Sequence, residues 1–126
     1  MSDSCEVRFS SAAEREMRDV AKRDPERAVI IGALIEQIEE NGWKLSTNSE
    51  AIKVLRSRTC IGEIRDIGSG GYRLFFFWHD TETARDLWVC RVVPKRDVTG
   101  KRRLNDVCDA VEKHRTRFLN EMRKTR

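Results

Sequence analysis

The first half of the chain changes from strand-like alternation to helical periodicity. Residues 5 to 9 alternate apolar and charged side chains, which predicts a short strand. Apolar positions then recur at helical spacing over residues 11 to 41, and Asp24-Pro25 divides them with a cap and a first-turn proline. We therefore expect a helical hairpin that ends at Asn41-Gly42. A polar loop is predicted from Leu45 to Glu50, because its Ser, Thr and Asn side chains compete with helical hydrogen bonds.

The second half predicts a small sheet followed by one long helix. Three apparent strands cover about residues 60–66, 72–79 and 86–93. The turn Gly68-Ser69-Gly70-Gly71 and a second polar turn separate them, and this spacing fits an antiparallel meander. Ala51 to Arg56 fits either a turn or the start of a strand. Pro94 ends regular pairing because it has no N–H to donate.

The last segment, Lys101 to Lys124, carries apolar residues at i, i+3, i+4 and i+7, which is typical of an amphipathic helix. The predicted order is β-α-α-β-β-β-α: an N-terminal strand and helical hairpin, a small antiparallel sheet and a C-terminal helix. This order defines an α+β fold. The length of 126 residues supports one domain, residues 1–126.

Composition and charge narrow the function classes. The longest apolar run, Leu74 to Trp78, has five residues, whereas a transmembrane helix needs roughly 20. No secretory signal is seen at the start of the chain, so we expect a cytoplasmic protein without a membrane partner. Residues 1–50 hold seven Lys/Arg and eleven Asp/Glu, a net charge of −4. Residues 51–126 hold eighteen and ten, a net charge of +8, which favours a polyanionic partner.

The four cysteines do not form a metal-binding pattern. They lie at positions 5, 60, 90 and 108, without a C-x-x-C pair, and the chain has only two histidines. A zinc site needs ligands grouped at short spacings. We therefore expect no metal and no cofactor, and we expect Cys90 and Cys108 to act as small buried hydrophobic residues.

Arginines recur on one predicted face of the sheet. Alternation along the strands predicts that this face gathers Arg65, Arg73, Arg91 and Lys95. Arginine offers a planar fork to a phosphate and lysine a point charge, so the pattern fits phosphate recognition. The alternative is that Arg65 pairs with Glu63 or Asp66 and that Arg73 only frames a strand end. On the first view we expect Arg65 and Arg73 on the sheet face rather than in the apolar core, where replacement by alanine changes stability little. On the second view these arginines anchor the sheet, and their loss impairs folding.

Three runs of residues resemble the RelE/HigB toxin superfamily, and they are closest to its phage-derived HigB-like branch. The runs are Gly62-Glu63-Ile64-Arg65, Gly71-Tyr72-Arg73-Leu74-Phe75-Phe76 and Val89-Cys90-Arg91-Val92-Val93-Pro94-Lys95-Arg96. The resemblance extends over roughly Val7 to Leu119, and the order of elements also matches.

The resemblance implies a metal-independent endoribonuclease, the toxin of a type II toxin–antitoxin pair. Such a toxin cuts mRNA on the ribosome and binds a cognate antitoxin, here expected to be a helix-turn-helix protein. The family's two arginines fall on Arg65 and Arg73, and its basic pair on Lys95 and Arg96. Arg65, Arg73 and Lys95 are thus the catalytic candidates. The RNA-binding candidates are Arg91, Arg96, Lys101, Arg102 and Arg103.

The proton-transfer groups stay open at this point. Many HigB-like members carry a histidine near the position of Arg91, and they often have Thr-Pro where this chain has Thr99-Gly100. Glu63 and His79 are the candidates for the general base, although an exposed histidine without a role is the better explanation of His79. Two other functions also stay open: a non-catalytic module that binds RNA or a protein, and a toxin of the ParE branch, which shares the fold and acts on DNA gyrase.

Overall fold

A computed structural model describes residues 3–68 and 70–125 of the chain. Met1, Ser2 and Arg126 of the predicted domain, and Ser69 of the predicted glycine-rich turn, lie outside the described residues. The elements are β1 (Cys5–Phe9), α1 (Ser11–Arg23), α2 (Pro25–Asn48), β2 (Ile52–Val54), β3 (Ile61–Arg65), β4 (Tyr72–Asp80), β5 (Arg85–Pro94), a 3₁₀ turn (Lys95–Val98) and α3 (Lys101–Lys124).

The strands form one mixed sheet in the order β1-β5-β4-β3-β2. The antiparallel meander is confirmed for β2 to β5, but the prediction of an antiparallel sheet is wrong at its edge, because β1 pairs in parallel with β5. The long chain between them, which forms α1, α2 and strands β2 to β4, permits this parallel pairing. The segment after Ala51, which fitted a turn or a strand, forms the short additional strand β2.

The helical hairpin begins and divides as predicted, but it extends further. Asp24 caps α2 by accepting a hydrogen bond from the Arg27 amide, and Pro25 occupies the first turn. Helical geometry breaks at Gly42, where φ is +83°, and then resumes to Asn48. The prediction of a loop from Leu45 is therefore wrong. Asp3 explains the difference, since its carbonyl and carboxylate accept hydrogen bonds from the amides of Trp43 and Lys44.

Helices cover both faces of the sheet. On one face, α1 and α2 pack over a core that includes Ile31, Ile38, Leu74, Phe76 and Leu87. On the other face, α3 places Val107 and Val111 over Phe75 and Phe77. The bounds predicted for α3 are confirmed, and Cys90 and Cys108 are buried with free thiols, also as predicted. Burial raises the pKa of the Cys90 thiol to about 12, so this cysteine is not a nucleophile at neutral pH.

Candidate functional site

Basic residues lie at one end of the three inner strands, where β3 ends, β4 begins and β5 ends. Arg65 and Arg73 are direct partners in the β3–β4 register. The Lys95 amide donates a hydrogen bond to the Gly71 carbonyl at 3.0 Å, which places the start of the 3₁₀ turn beside the start of β4. We call Arg65, Arg73, Lys95 and Arg96 the cationic edge. It contains all three catalytic candidates.

Arg73 is the buried member of the cationic edge. The residue is 5% exposed, and its Nη1 donates to the carbonyls of Asp66 at 2.8 Å and Tyr72 at 3.1 Å. Arg73 is therefore buried, although it belongs to neither apolar cluster, and its hydrogen bonds agree with the alternative that it anchors the start of β4. Sequence alternation gave the correct face, but it could not show that the chain between β3 and β4 folds over the guanidinium.

Arg65 is more accessible and has a weaker anchor. Its side chain is 29% exposed, and its Nε lies 3.9 Å from Oε1 of Glu63. This nitrogen is buried and has no hydrogen-bond partner among the described residues. The predicted pairing of Arg65 with Glu63 thus exists only as a long contact. The remainder of the guanidinium is free to meet an anion from solvent.

Glu63 lies beside both arginines and is 8% exposed. Burial raises the pKa of its carboxyl group, and the positive charges of Arg73, Lys53 and Arg65 offset only part of this effect. A carboxylate with a raised pKa takes up a proton more readily than an exposed one. Glu63 therefore has a property expected of a general base, and it lies next to two guanidinium groups.

The other base candidate lies elsewhere. His79 is six residues from Arg73 along β4, a distance of about 20 Å at strand spacing. Its ring packs against Phe118, with 5.4 Å between the ring centroids. The structure therefore does not bring His79 to the cationic edge, and Glu63 remains as the base candidate there.

Arg91 lies opposite Phe75, on the same sheet face as Arg73, and its guanidinium contacts α1. Its Nε is 3.2 Å from Oε1 of Glu16 on α1, and the same oxygen accepts a hydrogen bond from the Val92 amide at 3.0 Å. Because β1 pairs with β5 only as far as Val89, Glu16 covers the free edge of β5 beyond it. The register agrees with the prediction that Arg91 shares a sheet face with Arg73, but Glu16 occupies its guanidinium. The strand pattern held no information about this contact with α1.

The predicted RNA-binding residues continue the positive surface from the cationic edge. Lys95 and Arg96 are exposed and line a depression of about 310 Å³ with Gly70, Gly71, Pro94 and Thr99. After Gly100 the chain enters α3 without a side-chain cap and without an acidic residue in the first turn. Its first three residues, all exposed, are Lys101, Arg102 and Arg103.

Most of the aromatic residues of β4 belong to the core, as the sequence predicted. Phe75, Phe76 and Phe77 are buried, whereas Tyr72 and Trp78 are partly exposed. Trp78 packs against Trp43, and the guanidinium of Arg85 lies over both rings. Tyr72 is therefore the aromatic residue of this strand that adjoins the cationic edge.

Searches of protein-family models, of curated proteins and of solved structures found no significant match to the chain. Within residues 3–68 and 70–125, no cluster of three His, Cys, Asp or Glu side chains has the arrangement of a metal site. No helix in the described part of the chain is long and apolar enough to span a membrane.

Proposed function

We propose that this protein is the toxin of a type II toxin–antitoxin pair and cleaves mRNA on the ribosome without a metal ion. The observation that carries the proposal is the pairing of Arg65 with Arg73 beside the buried carboxyl group of Glu63. Two cations and one carboxylate with a raised pKa are the groups that RNA cleavage needs when no metal takes part. The resemblance to the RelE/HigB superfamily involves the same strands.

The reaction begins when a ribose 2′-oxygen attacks the adjacent phosphorus. A base removes the 2′-hydroxyl proton, the bond from phosphorus to the 5′-oxygen breaks, and an acid protonates this leaving oxygen. The products are a 2′,3′-cyclic phosphate and a 5′-hydroxyl end. The phosphorane formed between these steps carries additional negative charge, and donors placed in advance around it commonly make the largest contribution to catalysis.

Each residue of the site has a distinct role in this scheme. Arg65 presents its accessible guanidinium to the phosphate, and Arg73 adds positive charge from a fixed position below it. Glu63 receives the proton of the 2′-hydroxyl. Lys95, on the exposed 3₁₀ turn, stabilises the leaving group and can supply its proton. General acid–base assistance of this kind contributes typically about 10²–10⁴-fold.

The remaining basic residues hold the RNA. Arg96, Lys101, Arg102 and Arg103 extend from the cationic edge to the start of α3, where backbone N–H groups and the helix dipole also favour a phosphate. Arg91 contributes in this scheme only if RNA displaces Glu16 from its guanidinium. An antitoxin that neutralises the protein is expected to cover this positive surface.

Overproduction in a bacterial host tests the proposal. We expect growth to stop when the wild-type protein is made, and to resume when the neighbouring gene, expected to encode a helix-turn-helix antitoxin, is co-expressed. The control is Arg65→Ala at the same level of folded protein, which should permit growth. Normal growth with soluble wild-type protein would contradict the toxin assignment.

A second candidate function is a non-catalytic RNA- or protein-binding module. The hydrogen bonds that tie Arg73 to the backbone favour it, because they give this arginine a structural task. The two functions differ in one result: a binding module retains RNA but leaves it intact. Analysis of the DNA and mRNA of the arrested cells separates the ParE-like alternative, since inhibition of gyrase damages DNA and leaves mRNA uncut.

A further inference from the structure

Asp66 connects the α2 helix to two members of the cationic edge. It follows β3 directly, is 3% exposed, and its carboxylate receives Nη1 of Arg27 at 3.0 and 3.2 Å. The side chain of Arg27, on the first turn of α2, is 15% exposed. This ion pair is thus largely buried, and it fixes the end of β3 against the helical layer.

The same aspartate holds the start of β4 through three further hydrogen bonds. Its Oδ2 accepts from the Tyr72 amide at 3.3 Å, and its own amide donates to the Tyr72 carbonyl at 3.1 Å. Its carbonyl accepts from Nη1 of Arg73 at 2.8 Å. One residue therefore determines both the path of the backbone before Arg73 and the position of the guanidinium.

Lys95 depends on the same arrangement through Gly71. The Gly71 carbonyl accepts the hydrogen bond from the Lys95 amide, and a Cβ atom at Gly71 would lie 2.0 Å from the Asp66 carbonyl oxygen. Only glycine permits so close an approach. A shift of Asp66 would therefore move Gly71, and with it the start of the 3₁₀ turn that carries Lys95.

We infer that Arg27 and Asp66 are positioning residues of the catalytic site, and that their ion pair sets the location of Arg73 and Lys95 from the opposite face of the sheet. This inference rests on the proposed function for its effect on catalysis, but its structural part does not. Neither residue contacts the RNA in this account. A misplacement of about 1 Å caused by a remote substitution can lower a rate about 10²-fold, so the effect is measurable.

The main variant replaces both members of the pair, Arg27→Met with Asp66→Asn, so that no buried charge is left unpaired. We expect kcat for RNA cleavage to fall by roughly 10²-fold with little change in KM. Hydrogen exchange at the amides of Tyr72 and Lys95 should lose protection at the same time. Asp66→Asn alone leaves Arg27 without its charged partner but keeps an oxygen for the Tyr72 amide, and it should also lower kcat and reduce protection at both amides. Arg27→Lys, which keeps the charge, should recover most of kcat.

The matched control is Arg58→Met with Asp109→Asn, which removes another arginine–aspartate pair, 2.6 Å apart, between α3 and the chain before β3. It should leave kcat and the exchange at Tyr72 and Lys95 unchanged. Wild-type kcat in folded Asp66→Asn or in the double variant would overturn the inference. If the wild-type protein cuts no RNA, the proposed function fails. The exchange data then decide alone: lost protection supports the positioning role, and retained protection overturns it.

Discussion

Arg65 and Arg73 lie directly opposite each other on β3 and β4, although two like charges in this arrangement destabilise a sheet. The structure compensates for the repulsion only in part. Arg73 donates two hydrogen bonds to backbone carbonyls, while Glu63 lies 3.9 Å from Nε of Arg65. This arrangement is consistent with the proposed role of the two arginines in binding a phosphate.

Replacement of the accessible arginine tests its catalytic role without a large effect on folding. Arg65→Ala should lower the rate of RNA cleavage by about 10²–10³-fold, because a donor to the phosphorane is lost. The free energy of unfolding should change by no more than roughly 0.5 kcal/mol, since the side chain is partly exposed and its removal relieves the repulsion. Cleavage kinetics and denaturant melts measure the two effects. Lys53→Ala on β2 is the control, and full activity of Arg65→Ala would remove this residue from the mechanism.

The buried arginine should behave differently. Arg73→Ala should lower the free energy of unfolding by roughly 1–3 kcal/mol, because the Asp66 carbonyl loses its donor inside the protein. Cleavage should fall as well. Arg73→Lys separates the loss of stability from the loss of cleavage, since lysine keeps the positive charge but lacks the planar guanidinium. An unchanged melting curve for Arg73→Ala would contradict the anchoring role that the hydrogen bonds indicate.

The raised pKa of Glu63 makes the free energy of unfolding depend on pH. Its pKa in the folded protein is raised above the ordinary value of 4.5, so the folded state holds this proton more tightly than the unfolded state. The resulting stabilisation is complete below pH 4.5 and is lost as the pH rises through the raised pKa. Glu63→Gln cannot ionise, so its stability relative to wild type should increase from pH 4 to pH 7.

The same variant tests the general base. Ionised Glu63 takes the proton of the 2′-hydroxyl, so the wild-type rate should rise with pH through the raised pKa of Glu63. Glu63→Gln should lose this rise and be about 10²–10⁴-fold slower above it. A Glu63→Gln enzyme with the wild-type rate and pH profile would show that another group accepts the proton.

The basic start of α3 predicts a change in the salt dependence of RNA binding. Cations at a helix N-terminus cost about 0.3–1 kcal/mol each, so the run Lys101, Arg102 and Arg103 needs another explanation. Replacing all three with alanine should lower the slope of log affinity against log salt by about 2, at roughly 0.7 per contact with single-stranded RNA. The matched control is Lys113→Ala/Arg117→Ala/Arg123→Ala on the same helix. Equal slopes for the two triple variants would show that the N-terminal residues do not contact RNA.

Local sequence patterns predicted the elements whose cause is local. The bounds of α3 follow from its apolar stripe, and the start of α2 follows from Asp24 and Pro25. The helical segment after Gly42 was not predictable in this way, because its cap comes from Asp3, which is distant in sequence. The parallel pairing of β1 with β5 likewise depends on tertiary contacts that leave no local signal.

In the candidate site, too, local patterns predicted some features, whereas others depend on tertiary contacts. Alternation along β3 and β4 was sufficient to place Arg65 and Arg73 on one face, and the structure pairs them. The contact between Glu16 and Arg91 joins residues 75 positions apart, so no strand pattern could reveal it. Burial, which local patterns do not show, fixes Arg73 against the backbone and raises the pKa of Glu63. His79 lies at the far end of β4.

The most direct test of the central claim is to map the ends of mRNA after incubation with purified protein and translating ribosomes. The RNA is recovered after a short reaction, and the ends are identified chemically. Naked mRNA and the Arg65→Ala protein are run in parallel, and a chelator is added to the naked-RNA arm to remove divalent ions. Wild-type protein should produce new 5′-hydroxyl and 2′,3′-cyclic phosphate ends, and Arg65→Ala should produce far fewer of them. Intact mRNA on ribosomes, or cleavage that leaves 5′-phosphate ends, would contradict the proposed mechanism.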